Sequence, residues 1–402
     1  MKTNTRKSAK KQVPALNSSA KVTTRGARSS ASNAMPPGQI VLVLQGGGAL
    51  GAYQVGVYQA LHEAGIEPDW VIGTSIGAIN AALIAGNPRE KRLAKLRDFW
   101  DGVEWHEPLG LAAALPWWIA GPASNLNTVT LGVPGFFEPN PKSWLGARAA
   151  VGVEDASYYR TDQLRATLAR LVDFDLIKRN STRLTVGAVN ARTGAMRYFD
   201  SRREPLHASH IMASGALPPA FPAVRIDGEP YWDGGIYSNT PIEAVLDDNP
   251  RKSSTVFSVH LWNPSGNEPQ SIWDVLGRQK EIQYSSRAIN HVNRQKQIHR
   301  LRHVISEMAK HVPQRDRASE EVQELMSWGC KTTIHIVRLL APRLDGEDHT
   351  KDIDFTPSGI KARWAAGYAD TQDAIAEKPW DCTIDPLDGV LLHEHESTHA
   401  AM

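Results

Sequence analysis

The chain has 402 residues, 41% of them hydrophobic and 22% charged, with only two cysteines, Cys330 and Cys382. That length allows two or three ordinary domains or one large α/β domain with appendages, and the composition excludes a wholly disordered, collagen-like or coiled-coil chain. Two thiols cannot make a disulfide framework, so an apolar core must hold the fold. The formal net charge of +2 is unevenly spread: residues 1–40 carry eight Lys or Arg and no acid, and 37 bases face 43 acids in the rest.

Residues 1–38 are rich in Ser, Ala, Thr and Lys and lack the apolar stretch of a secretory signal. They read as a disordered basic tail of a cytoplasmic protein, with attraction to an anionic membrane as the sharper alternative. Order is expected from residues 40–45 (IVLVLQ), an unbroken apolar run that suits a parallel strand buried on both faces. A glycine triplet follows, then a helical pattern closed by Gly65. Residues 69–73 read as a second strand, 76–86 as a small-residue helix and 89–100 as a charged amphipathic helix. This alternation predicts right-handed βαβ packing. The uncharged stretch 71–86 is too short for a bilayer and reads as core.

Residues 105–146 form a long irregular insertion containing Trp105, Trp117, Trp118, Trp144 and the pair Phe136-Phe137. Such segments serve as lids or binding loops, or simply cover core. A helix over 161–172, strands over 183–190, 195–199 and 254–261, and one long or once-broken helix over 271–312 come next. The long helix places Val275, Ile282, Ile289, Val292, Leu301, Ile305 and Met308 on an apolar face, with seven Lys or Arg between Arg278 and Arg302. Its basic face is expected to be solvated, or to meet lipid head groups; no motif supports nucleic-acid binding. A strand over 332–339 and a helix from Thr356 close the pattern. His393, His395 and His399 sit in a polar stretch that reads as solvated tail, so no metal site is expected.

Four short segments carry chemistry. Gly73-Thr74-Ser75-Ile76-Gly77 is a G-x-S-x-G at a strand-to-helix junction, where a tight turn would lift Ser75 above the sheet as a nucleophile. Gly46-Gly47-Gly48-Ala49-Leu50-Gly51 could be a dinucleotide fingerprint, but Asp69 falls at the wrong end of the next strand for that role. Beside a serine elbow, glycine amides suit an oxyanion hole better. Asp233-Gly234-Gly235 ends a strand and offers a base for Ser75, while His260 leaves a Ser-Asp-His order open. Residues 213–222, from Ala213 and Ser214 to Phe221 and Pro222, read alone only as a loop.

Taken in this order, the four segments resemble the patatin-like phospholipase family, over about residues 39–262. The resemblance implies a three-layer α/β/α fold with a central, mostly parallel sheet, and a Ser75–Asp233 dyad that needs no cofactor. It implies an oxyanion hole at Gly46, Gly47, Gly48 and Gly51, with Gly73, Gly77, Gly234 and Gly235 shaping the elbow and the aspartate loop. Substrates would be acyl lipids or esters, as for a phospholipase A or lysophospholipase. Leu50 departs from the Arg or Lys that many relatives carry, so acyl-ester hydrolysis is better supported than phospholipid preference. Residues 263–402 resemble a helical extension found in a bacterial subset of the family. A non-catalytic membrane- or partner-binding protein is the reading from a different class.

Overall fold

The computed structural model of the chain describes residues 35–104, 128–179, 181–385 and 387–395, apart from the side chains of 286–288. Most of the basic tail, Trp105, Trp117, Trp118 and His399 lie outside the described residues. The first apolar run forms β1 (Gln39–Leu44), and Trp70–Gly73 forms β2. The later strands are β3 (Arg183–Asn190), β4 (Met196–Asp200), β5 (Val224–Ile226), β6 (Glu229–Asp233), β7 (Ser254–His260), β8 (Ile334–Leu340) and β9 (Val390–Glu394). They make one sheet in the order β9-β8-β7-β1-β2-β3-β6-β5, with β4 also on β3. The six strands from β9 to β3 are parallel, and β4, β5 and β6 are antiparallel additions.

Alternation along β1 explains the layers. Leu42 and Leu44 belong to the larger core cluster, which includes helices α1 (Ala52–Glu63), α2 (Ile76–Ala85) and α3 (Arg89–Val103). Val41 and Val43 point the other way, into a smaller cluster with Val256, Ile336 and Val292. Successive side chains on a strand face opposite sides, so a fully apolar strand requires both sides to be covered. The expected α/β/α sandwich is therefore present. Two further helices matter below: α4 (Ala208–Ser214), and α5 (Ile272–Lys310), a single helix of 39 residues with a Ser271–Asp274 capping box.

The long helix departs from its sequence pattern. Val275, Ile282, Leu301 and Met308 are exposed, whereas Val292 and the polar Ser285, Gln295, His299 and His303 are buried. The helix packs through a mostly polar stripe, with Gln295 donating to Asp247 at 2.7 Å. Its basic residues are partly spent inside the fold: Lys280 lies 2.8 Å from Asp352, and Arg278 pairs with Glu281. The C-terminal region is largely helical, with α6 (Pro357–Glu377) its last helix among the described residues, but it also supplies β8 and β9 to the main sheet. His393 accordingly sits in a strand, correcting the expectation of a solvated tail. Among the described residues, no helix is long and apolar enough to cross a membrane.

Candidate active site

Register on β3 brings the two key segments together. Val186 pairs with Gly73 of β2 and with Phe199 of β4, while Ala188 pairs with Asp233 of β6 and Arg197 of β4. A strand has two edges, and β4 occupies one of them from Thr185 to Val189. The ends of β2 and β6 therefore meet on the other edge, two β3 residues apart. The turn after β2 carries Ser75, and Asp233 is the last residue of β6.

Ser75 adopts φ 56°, ψ −128°, a strained conformation for a residue with a side chain. Such an elbow forms only where its surroundings over-determine it. A Cβ on Gly73 would lie 2.2 Å from the Gly77 carbonyl oxygen, and one on Gly77 would lie 2.3 Å from that of Leu44. Both flanking glycines are thus required by close backbone approach. The Ser75 amide donates to the Ser214 carbonyl at 3.0 Å and to Ser214 Oγ at 3.2 Å. Ser214 Oγ in turn donates to the Gly187 carbonyl at 2.7 Å. The segment that read only as a loop anchors the elbow to β3 through Ser214, at the end of α4.

Asp233 is 1% exposed. It accepts from the Gly235 amide at 2.7 Å. Burial raises its pKa from 3.8 to about 7, against the lowering effect of that amide and of the nearby Ser75 hydroxyl. Gly234 lies close over the Gly187 backbone. Tyr284 of α5 faces the same space; its pKa is pushed up to about 12 by burial, then by Asp233 and Asp352.

The glycine loop divides its labour. Gly46 donates its amide to the Asn239 carbonyl at 3.2 Å, and its carbonyl accepts from the Trp262 indole at 2.8 Å and from Asn239 Nδ2 at 3.0 Å. It is clamped beside Ser75 and has no donor to offer. Gly51 packs against Ile76 and Trp100. Gly48 has φ +56° and faces the Asp352 carbonyl so closely that a Cβ would lie 2.2 Å from it. Among the described residues, the amides of Gly47 and Gly48 have no hydrogen-bond acceptor. Both sit at the N-terminal end of the turn that leads into α1, where the helix dipole favours negative charge.

Ser75, Asp233, Gly46, Gly47 and Gly48 open onto one cleft of about 930 Å³, counted out to its mouth. Its apolar wall includes Ile79, Phe136, Phe137, Leu217, Phe221 and Phe355. The Phe221 ring centre lies within 5.9 Å of those of both Phe136 and Phe137, so the described part of the insertion contributes directly to this wall. Trp144, by contrast, is 87% exposed on a short turn. No histidine lines the cleft among the described residues. His260 is buried, bonded through Nε2 to Ser258 Oγ at 3.0 Å, and burial plus nearby Arg338 lower its pKa to about 3. The structure gives no support to a His260 triad. Leu50 is buried and its place in the loop carries no cation. Asn239, Trp262, Tyr284 and Asp352 were not foreseen from sequence; only their approach in space relates them to the motifs.

Comparisons with known proteins bear on the family of the chain. A family model described as patatin-like phospholipase matches residues 42–246, and a second, described as patatin phospholipase, matches residues 282–387. The triacylglycerol lipase ptl3 of Schizosaccharomyces pombe is 42% identical over 65 residues, 16% of this chain and 14% of that protein. The lysophospholipase nte1 of Aspergillus terreus is 66% identical over 44 residues, 11% of this chain and 3% of that protein. A rat patatin-like phospholipase domain-containing protein is 59% identical over 46 residues, 11% of this chain and again 3% of the relative. The chain thus spans a small fraction of the length of these relatives. Among solved structures, VipD from Legionella pneumophila aligns with TM-score 0.35 and 15% identity, over 85% of this chain and 67% of that one. The type III effector ExoU aligns with TM-score 0.33 and 15% identity, over 85% and 53%. The first family model alone covers just over half of the sequence, and the chain belongs to the patatin-like phospholipase family.

Proposed function

We propose that this chain is a serine-dependent lipid acyl hydrolase working through a Ser75–Asp233 dyad. The observation that carries the reading is a strained elbow serine set beside a buried carboxylate on one apolar cleft. Ser75 Oγ attacks the acyl carbonyl as Asp233 takes its proton, and the oxyanion is held by the Gly47 and Gly48 amides. Asp233 returns that proton to the departing alcohol or lysolipid. Water then enters, gives a proton to Asp233 and cleaves the acyl-serine; the proton passes back to Ser75 as the fatty acid leaves. An alcohol in place of that water makes the same site an acyltransferase. A carboxylate is a weak base for this work, and burial strengthens it.

The aromatic wall suits an acyl chain, and the absence of a cation at Leu50 favours no charged head group. Exposed Trp144, Leu145 and Tyr158 lie in the segments flanking Phe137 and Tyr159 of the cleft, which supports contact with a lipid surface. Labelling with a serine-directed fluorophosphonate tests the dyad. Wild type should label, Ser75→Ala should not, and Asp233→Asn should label far more slowly. Undiminished labelling of Ser75→Ala overturns the assignment. A panel of phospholipid, lysophospholipid, triacylglycerol and simple ester substrates then identifies the preferred ester.

A further inference from the structure

We propose that His335, His393 and Cys382 form a binding site for a soft divalent cation, zinc foremost, at the outer edge of the main sheet. None of the three lines the catalytic cleft. The site arises from parallel pairing of β8 with β9, in which His335 stands opposite Leu391 and Val337 opposite His393. Residues two apart on a strand share a face, so both imidazoles lie on one side of the sheet. Their rings stack at 5.3 Å with an 8° interplanar angle, and His335 Nδ1 is 3.1 Å from His393 Nε2. Two nitrogens bound to one tetrahedral zinc at ordinary bond lengths are about 3.4 Å apart, close to that spacing. The Cys382 sulfur, from the loop before β9, completes a donor set whose atoms all fall within 4.8 Å of one another.

The chemistry of the donors is selective. Two imidazoles and a thiolate suit zinc, and are poor partners for magnesium or calcium. Metal binding needs neutral imidazoles, and both rings are biased that way. Burial lowers the His335 pKa, and burial, His335 and Lys296 together bring that of His393 down to about 4. As the metal–sulfur bond forms, the Cys382 thiol releases its proton to solvent. Two residues along the same face, His395 has a buried Nε2 without a partner among the described residues, while its Nδ1 faces Glu377 at 3.1 Å. A carboxylate behind an imidazole is the usual means of orienting a metal-binding histidine. The fourth position is left to His395 or to water. The metal would tie the last strand and its preceding loop to β8.

The test uses the purified full chain, without a histidine tag and stripped of metal, titrated with cobalt(II) as a spectroscopic probe and then with zinc in competition. Expected are one equivalent bound, ligand-field bands of tetrahedral intensity and a thiolate-to-cobalt charge-transfer band. Cys382→Ser, a change at an exposed position, should remove the charge-transfer band and weaken binding by at least about tenfold, as should His393→Asn. Zinc should also raise the melting temperature of wild type and leave that of the double variant Cys382→Ser/His393→Asn unmoved. Ser75→Ala should bind cobalt like wild type, which separates this site from the hydrolase. A spectrum without the thiolate band, or equal affinity in wild type and the double variant, overturns the proposal.

Discussion

Asp233 offers the most demanding test, because the burial that makes it a better base must also burden the folded state. Its rise from 3.8 to about 7 corresponds to about 4 kcal/mol of preference for the protonated form in the native protein. Since the folded value lies above the unfolded one, the neutral carboxyl favours folding. That contribution is complete below about pH 4 and is lost as pH rises through about 7. Catalysis needs the opposite form. With a pKa near 7, about 1% of the carboxyl is ionised at pH 5, so kcat/KM should climb about tenfold per unit from pH 5 and level off above pH 8.

Asp233→Asn separates the two effects. Hydrolysis should fall by about 10²–10⁴ with loss of the base. Yet at pH 8 the variant should be more stable than wild type by up to about 4 kcal/mol, since an amide can still accept from Gly235 and carries no buried charge. At pH 4.5 most of that advantage should vanish. Urea unfolding of both proteins at the two pH values, together with a wild-type pH–rate profile by fatty-acid release, measures all of this. A rate already at plateau by pH 5, or an Asn variant less stable than wild type at pH 8, would refute the reasoning.

Three further outcomes follow from side chains around the site and core. Ser214→Ala should lower kcat about tenfold with KM little changed, as the elbow amide loses one acceptor and the Gly187 carbonyl its donor; steady-state kinetics on one ester checks it. Phe221→Ala opens the wall shared with Phe136 and Phe137, so the kcat/KM ratio of long-chain to short-chain esters should drop about tenfold or more in a chain-length series. Arg183 bridges Asp200 at 2.7 Å and Asp248 at 2.8 Å and lies over the Trp70 ring at 3.7 Å. Arg183→Met leaves two buried carboxylates unpaired and should cost about 3–5 kcal/mol in urea unfolding.

The legible parts of this molecule are those where one local requirement decides the residue. β1 is apolar from Ile40 to Leu44 because both of its faces are covered, and the run could be read without knowing its neighbours. Gly73 is fixed by the backbone of Gly77 within the turn that Ser75 makes, so the pentapeptide announced itself. Illegible parts depend on distant partners. Asn239 reaches the Gly46 carbonyl across 193 positions, and nothing in its local sequence marks it. The stripe by which α5 packs is polar, so apolar periodicity chose the wrong face: Leu301 is exposed and His299 is buried. His393 looked like tail because an edge strand borrows its order from β8 rather than from its own side chains.

The C-terminal region is also part of the site. Its Asp352 carbonyl abuts Gly48, held there with Lys280 on the Asp352 carboxylate, so the conformation of the proposed oxyanion loop is set from beyond residue 262. Helix α6 reaches the same loop from behind. A Cβ on Gly56 of α1 would lie 2.0 Å from the Trp364 carbonyl, and one on Gly367 of α6 would lie equally close to the Tyr53 carbonyl. These reciprocal glycines press the two helices into backbone contact, and Tyr53 donates its hydroxyl to Asp370 at 2.8 Å. The helix whose N-terminal end presents Gly47 and Gly48 is thereby braced by the extension along its length. Phe355 and Ile353 then close the apolar side of the cleft. An extension that contributes two strands, a wall and the brace for the proposed amide donors cannot be a passive appendage; the proposed catalytic geometry and the C-terminal fold have to be formed together.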